Sequence, residues 1–123
     1  MQELKIAPSK NTPEVFMCPK GAIKIKGRSI HENTGDFFIP VKAWVSEYIT
    51  NPAQLTTVDL NFEYCNSSTA KAITDILQQI MLVSSQDKSF VINWYYEDGD
   101  DDIFERGEYF ASVLGIPINF IKI

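Results

Sequence analysis

Apolar and polar residues alternate over 22–26, where Ile23 and Ile25 stand beside Lys24 and Lys26. A period of two predicts a strand with one buried and one wet face. Residues 14–17 give another short strand, with Pro19-Lys20-Gly21 as the turn between them. Pro13 and Pro19 bracket it and predict an edge position, because proline cannot donate to a ladder. The period then changes. Phe37, Val41, Trp44, Val45 and Tyr48 recur at helical spacing and predict a helix over 36–49. Asp36 is its expected N-cap, Pro40 sits near the first turn where a missing N–H costs little, and Asn51-Pro52 ends it.

Residues 55–64 alternate again, with Val58, Leu60, Phe62 and Tyr64 on one side and Thr57, Asp59, Asn61 and Glu63 on the other. A second helix is expected to run to about residue 83 on Ile73, Ile76, Leu77, Ile80 and Met81. The run 89–96 is nearly all apolar or aromatic, which predicts a central strand covered on both faces. A third helix carries Ile103, Phe104, Gly107, Phe110, Ala111 and Leu114, with Gly115 as its C-cap and Pro117 as a stop. Residues 119–123 make a last strand. The expected order is β-β-β(short)-α-β-α-β-α-β. After the opening hairpin, strands and helices alternate, which predicts an α/β fold with a mixed, mostly parallel sheet and crossover helices. No repeat or long linker interrupts residues 1–123, so one domain is expected.

Length and charge narrow the function. The chain has 123 residues and a net charge of −5. A domain of this size buries enough surface to fold without a disulfide or metal. With no Lys/Arg-rich run, it lacks the clustered cations that nucleic-acid binding needs. It has no apolar run near the roughly 20 residues that span a bilayer, and no signal-peptide layout at Met1-Gln2-Glu3-Leu4-Lys5. A soluble, cytoplasmic protein is expected. Cys18 and Cys65 are far apart and form no CxxC pair, so free thiols in or near the core are expected. His31 is the single histidine and lies in a polar stretch, where a surface loop fits better than catalysis.

The chemistry concentrates at a few places. Asn66-Ser67-Ser68-Thr69-Ala70-Lys71 joins the end of a strand to the start of a helix. Hydroxyls there cap free backbone N–H groups, and the same positive helix end suits a phosphate. The acidic run 97–102 either caps a helix as a solvated loop, steers a basic partner, or holds Mg²⁺ or Ca²⁺, although it departs from EF-hand spacing. Asn93-Trp94-Tyr95-Tyr96 places Trp94 in the core and Tyr95 at the surface. Gly27-Arg28-Ser29 with Glu32-Asn33 is expected to be a turn with a charged pair before the first helix.

Gly27-Arg28-Ser29-Ile30-His31-Glu32-Asn33, Asn66-Ser67-Ser68-Thr69-Ala70-Lys71 and Val91-Ile92-Asn93-Trp94-Tyr95-Tyr96 with its acidic loop, taken in order, resemble the SiaC family of bacterial regulatory phosphoproteins. The resemblance runs from about residue 12 to the C-terminus. It implies a STAS-like fold, similar to anti-sigma-factor antagonists, and a switch rather than an enzyme, with no cofactor. It further implies a dedicated protein kinase, a PP2C-type phosphatase and, for the unphosphorylated form, a diguanylate cyclase that it activates to control cyclic-di-GMP and biofilm. The family's acceptor falls on Ser67, where threonine is more usual, with Ser68 and Thr69 as neighbouring alternatives. Asn66, Ser68, Thr69, Lys71, Arg28, Glu32, Asn33 and Tyr95 are the expected partner-binding residues. His31 stands where the family has proline, and Cys65 where an aromatic is common. The rival expectations are an anti-sigma-antagonist-like module with another protein target, and a divalent-metal domain built on 97–102.

Overall fold

The computed structural model describes residues 1–30 and 33–123 of the chain. Its strands are β1 (Leu4–Ile6), β2 (Glu14–Cys18), β3 (Ala22–Ser29), β4 (Leu55–Cys65), β5 (Ser89–Tyr96) and β6 (Asn119–Lys122). Its helices are α1 (Thr34–Tyr48), α2 (Ser67–Met81) and α3 (Asp101–Leu114), with a 3-10 turn at Leu82–Gln86. The six strands form one sheet in chain order. β1, β2 and β3 pair antiparallel, while β3, β4, β5 and β6 pair parallel. The expected α/β class and mixed, mostly parallel sheet are therefore present in a single small domain.

Parallel neighbours in chain order need one crossover each. Right-handed crossovers taken in sequence lay every helix on the same face. The register shows which residues face the helices: Ile6, Val15, Ile25, Leu60, Trp94 and Phe120 stand opposite one another across all six strands. They pack with Phe38, Val41 and Val45 of α1, Ile73, Ile76 and Leu77 of α2, and Ile103 and Phe110 of α3 in one core. Among the described residues, the other face of the sheet carries no helix. Lys5, Phe16, Lys24, Asp59, Asn93 and Asn119 cross it in register.

The structure corrects several expectations. β5 is central but covered on only one face, and Val91, Asn93 and Tyr95 are half-exposed on the other. β2 is not an edge strand: β1 pairs along its outer side. Its prolines lie just outside the strand, so no ladder N–H is missing. The short strand expected in third place, between 22–26 and the first helix, is not seen among the described residues; the additional short strand is β1, which precedes the hairpin. α1 begins after an Asn33 N-cap rather than at Asp36, which lies in its first turn. Phe38, not Phe37, joins the buried stripe, and Phe37 packs edge-on against it at 4.9 Å.

Candidate functional site

The strand-to-helix junction of β4 and α2 owes its form to a bulge. β3 pairs Gly27 with Phe62 but Arg28 with Tyr64, so β4 carries one extra residue at Glu63. The strict alternation expected over 55–64 breaks there. Tyr64 turns out to solvent at 54% exposure and Cys65 turns into the core. Gly27 supports the bulge with φ +123, in the region that only glycine enters at little cost. β3 also runs on through Ser29, so 27–29 is strand rather than the expected turn.

The bulge places Ser29 and Cys65 side by side in register, and α2 is pinned there. The Asn66 N–H donates to the Ser29 carbonyl at 3.2 Å. The Asn66 side-chain oxygen accepts from the Thr69 N–H at 2.8 Å, as an N-cap should. The Thr69 hydroxyl meets the Ser29 hydroxyl at 2.5 Å. Both residues are buried, so this bond locks the start of α2 to the end of β3.

The hydroxyl cluster is thereby split. Thr69 is fully buried and occupied, whereas Ser67 and Ser68 are exposed on the first turn of α2. Among the described residues, neither serine hydroxyl has a hydrogen-bond partner. They sit at the positive end of the helix, with exposed Lys71 one turn on. Exposed Arg28 precedes Ser29, whose carbonyl holds Asn66.

Beyond Cys65, Glu63, Tyr64, Asp100, Asp102, Arg106 and Tyr109 line a hollow of about 480 Å³. Arg106 donates to the Cys65 carbonyl at 3.4 Å. Burial pushes the Cys65 thiol up to about 12, against the opposing pull of Arg106. Near neutral pH it therefore stays protonated, which disfavours it as a nucleophile. Tyr64, Arg106 and Tyr109 were not singled out from sequence. Tyr64 carried a signal that pointed inward, and the bulge reverses it.

Other expected residues lie elsewhere. Asn33 stands at the N-cap position of α1 and its side-chain amide donates to Asp36. Glu32, and with it His31, lies outside the described residues. Tyr95 is not with Ser67: it faces the helix-free side of the sheet and donates to Asp59 at 3.3 Å. Desolvation, with the Asp59 charge and this bond, holds its phenol above the usual value. Trp94 is fully buried and donates to the Ile103 carbonyl at 2.8 Å. In the acidic run, Asp100 caps α3 by accepting from the Ile103 N–H, and Asp101 and Asp102 occupy the first turn. Among the described residues, no three His, Cys, Asp or Glu side chains converge on a metal position. Nor is any helix among them long and apolar enough to cross a membrane.

Known proteins share this architecture. An uncharacterized protein of Pseudomonas aeruginosa is 25% identical over 118 residues, covering 95% of this chain and 94% of that one. The crystal structure of apo-SiaC from Pseudomonas aeruginosa superposes with a TM-score of 0.83 at 25% identity, over 99% of this chain and 98% of that one. A chain in the crystal structure of the diguanylate cyclase SiaD with its activator SiaC, from the same organism, gives a TM-score of 0.87 at 24% identity, over 98% and 99%. The family model described as SiaC family regulatory phosphoprotein matches residues 6–123. With nearly its whole length matched, this chain belongs to the SiaC family of regulatory phosphoproteins.

Proposed function

We propose that this protein is a non-enzymatic, cytoplasmic phospho-switch whose unphosphorylated form binds and activates a diguanylate cyclase. Ser67 is the acceptor, a dedicated kinase loads it and a PP2C-type phosphatase clears it. One observation carries the reading: in a chain of a regulatory phosphoprotein family, Ser67 and Ser68 are exposed at a rigidly pinned helix start while Thr69 is buried. The structural relative in complex with SiaD is described as that cyclase's activator, which supports a cyclase as the partner.

The mechanism is exclusion. A phosphate on Ser67 adds about −1.5 to −2 charges at pH 7. The fold tolerates it, because the positive end of α2 favours an anion and the Asn66 and Thr69 locks are not disturbed. A partner packed on the bare helix start would have to strip water from that charge, a cost that opposes the contacts made there. Phosphosite mapping of protein purified from its own cells with phosphatases inhibited should find the phosphate on Ser67. A phosphate found only on Ser68 would move the acceptor, and an unmodified 64–71 peptide under all growth conditions would contradict the switch. Ser67→Ala should bind the cyclase constitutively and Ser67→Asp about tenfold more weakly, an effect near 1.4 kcal/mol. Equal affinities would sink the exclusion mechanism.

A further inference from the structure

The helix-free face of the sheet holds a feature unrelated to core packing. β3 alternates strictly, with Ile23, Ile25 and Ser29 buried and Lys24, Lys26 and Arg28 exposed. Three cations thus stand in a line along one strand of a chain whose net charge is −5. The line begins beside Phe16, over whose ring the Lys5 ammonium lies at 5.8 Å. It ends at Arg28, next to the Ser29 carbonyl that holds the start of α2. Lys5, Phe16, Lys24 and Lys26 border an open hollow of about 770 Å³. The carboxylates there are Glu14 and Asp59, and Asp59 is engaged by the Asn93 amide at 2.8 Å and by Tyr95. None of the three cations forms an ion pair among the described residues.

We propose that this stripe is a docking surface for an extended acidic segment of a protein partner. Alternate side chains on a strand stand about 7 Å apart, which is also the spacing of alternate carboxylates on an extended chain. Charge complementarity therefore sets both the sign and the register of the occupant. Half-buried Phe16, with exposed Pro8 on the same rim, offers an apolar seat that a protein segment fills and a phosphate backbone does not. The acidic remainder of the molecule repels nucleic acid. The strand that carries the stripe ends at Ser29, whose carbonyl holds Asn66 just ahead of Ser67, so a phosphate on Ser67 adds negative charge at that end of the strand and weakens binding of the same segment; this last point rests on the switch reading, whereas the stripe does not.

The test is a titration of the isotope-labelled full chain with an extended peptide carrying glutamate at alternate positions around one leucine. Its control has glutamine in place of every glutamate. The expected result is chemical-shift change centred on Lys24, Lys26 and Arg28, absent with the control. Lys24→Glu with Lys26→Glu should weaken the glutamate peptide by about tenfold. All these positions are exposed, and the milder Lys24→Gln with Lys26→Gln pair gives a second variant should the reversal perturb folding. Equal binding of the two peptides, or of the wild type and both variant pairs, would overturn the proposal, as would tighter binding of a single-stranded oligonucleotide. Ser67→Asp separates the two claims. If it leaves the peptide's affinity unchanged while the lysine variants weaken it, the stripe stands and its coupling to the switch fails.

Discussion

At the scale of single residues, the site rests on a division among neighbouring hydroxyls. Thr69 holds the fold and Ser67 faces the solvent. Thr69→Val should cost about 1–3 kcal/mol, because it strands the buried Ser29 hydroxyl. Adding Ser29→Ala should recover part of that loss, and denaturant titrations of both singles and the double would show it. Cys65 gives a pH signature. Its folded pKa is raised to about 12 from a reference of 9.0. Between those values the unfolded chain releases a proton that the folded chain keeps, so stability falls as pH rises, by up to about 1.4 kcal/mol per pH unit. Cys65→Ala should show a shallower alkaline decline in melts from pH 8 upward. The sequence placed the cluster correctly at a helix start, since the Asn66 cap is local chemistry. Local chemistry left Ser67, Ser68 and Thr69 equivalent and only the resemblance favoured Ser67, because the long-range approach of Ser29 decides which of them is buried.

At the scale of elements, two glycines test how β3, β4 and α3 set the site. Gly107 lies inside α3, where alanine would ordinarily be the better helix former. An added Cβ would come within 2.6 Å of the Trp94 ring. Gly107→Ala should therefore lower stability by about 2 kcal/mol, against propensity. At Gly27 an added Cβ meets nothing closer than 3.6 Å, so the cost of Gly27→Ala is backbone strain at φ +123, about 1 kcal/mol or more. That variant should also disturb the amide signals of Ser29 and Asn66, because the bulge orients both. Helices α2 and α3 were legible from their apolar stripes and from the Gly115 cap, which is left-handed as expected. The bulge was not legible, since nothing local in Phe62-Glu63-Tyr64-Cys65 distinguishes a broken alternation from an intact one. The edge position of β2 was misjudged because the prolines that suggested it flank the strand without entering it.

For the whole molecule, the central feature is a sheet covered on one side, with the proposed switch at its strand ends and a cationic stripe on its bare face. The alternation of Lys24 and Lys26 with Ile23 and Ile25 already marks a wet face. The apolar run of β5 hid that face, because Trp94 and Ile92 serve the core while Tyr95 and Val91 do not. Family membership was legible from three motifs in order, although the matched span, 6–123, begins before residue 12, where the resemblance was placed. The most direct test of the account installs phosphoserine at position 67 by genetic encoding and compares modified and unmodified protein in activating the diguanylate cyclase of the same cells. Unmodified protein should stimulate cyclic-di-GMP synthesis and the phosphorylated protein should not, at equal concentration and with unchanged melting behaviour. Equal stimulation by both forms would contradict the account.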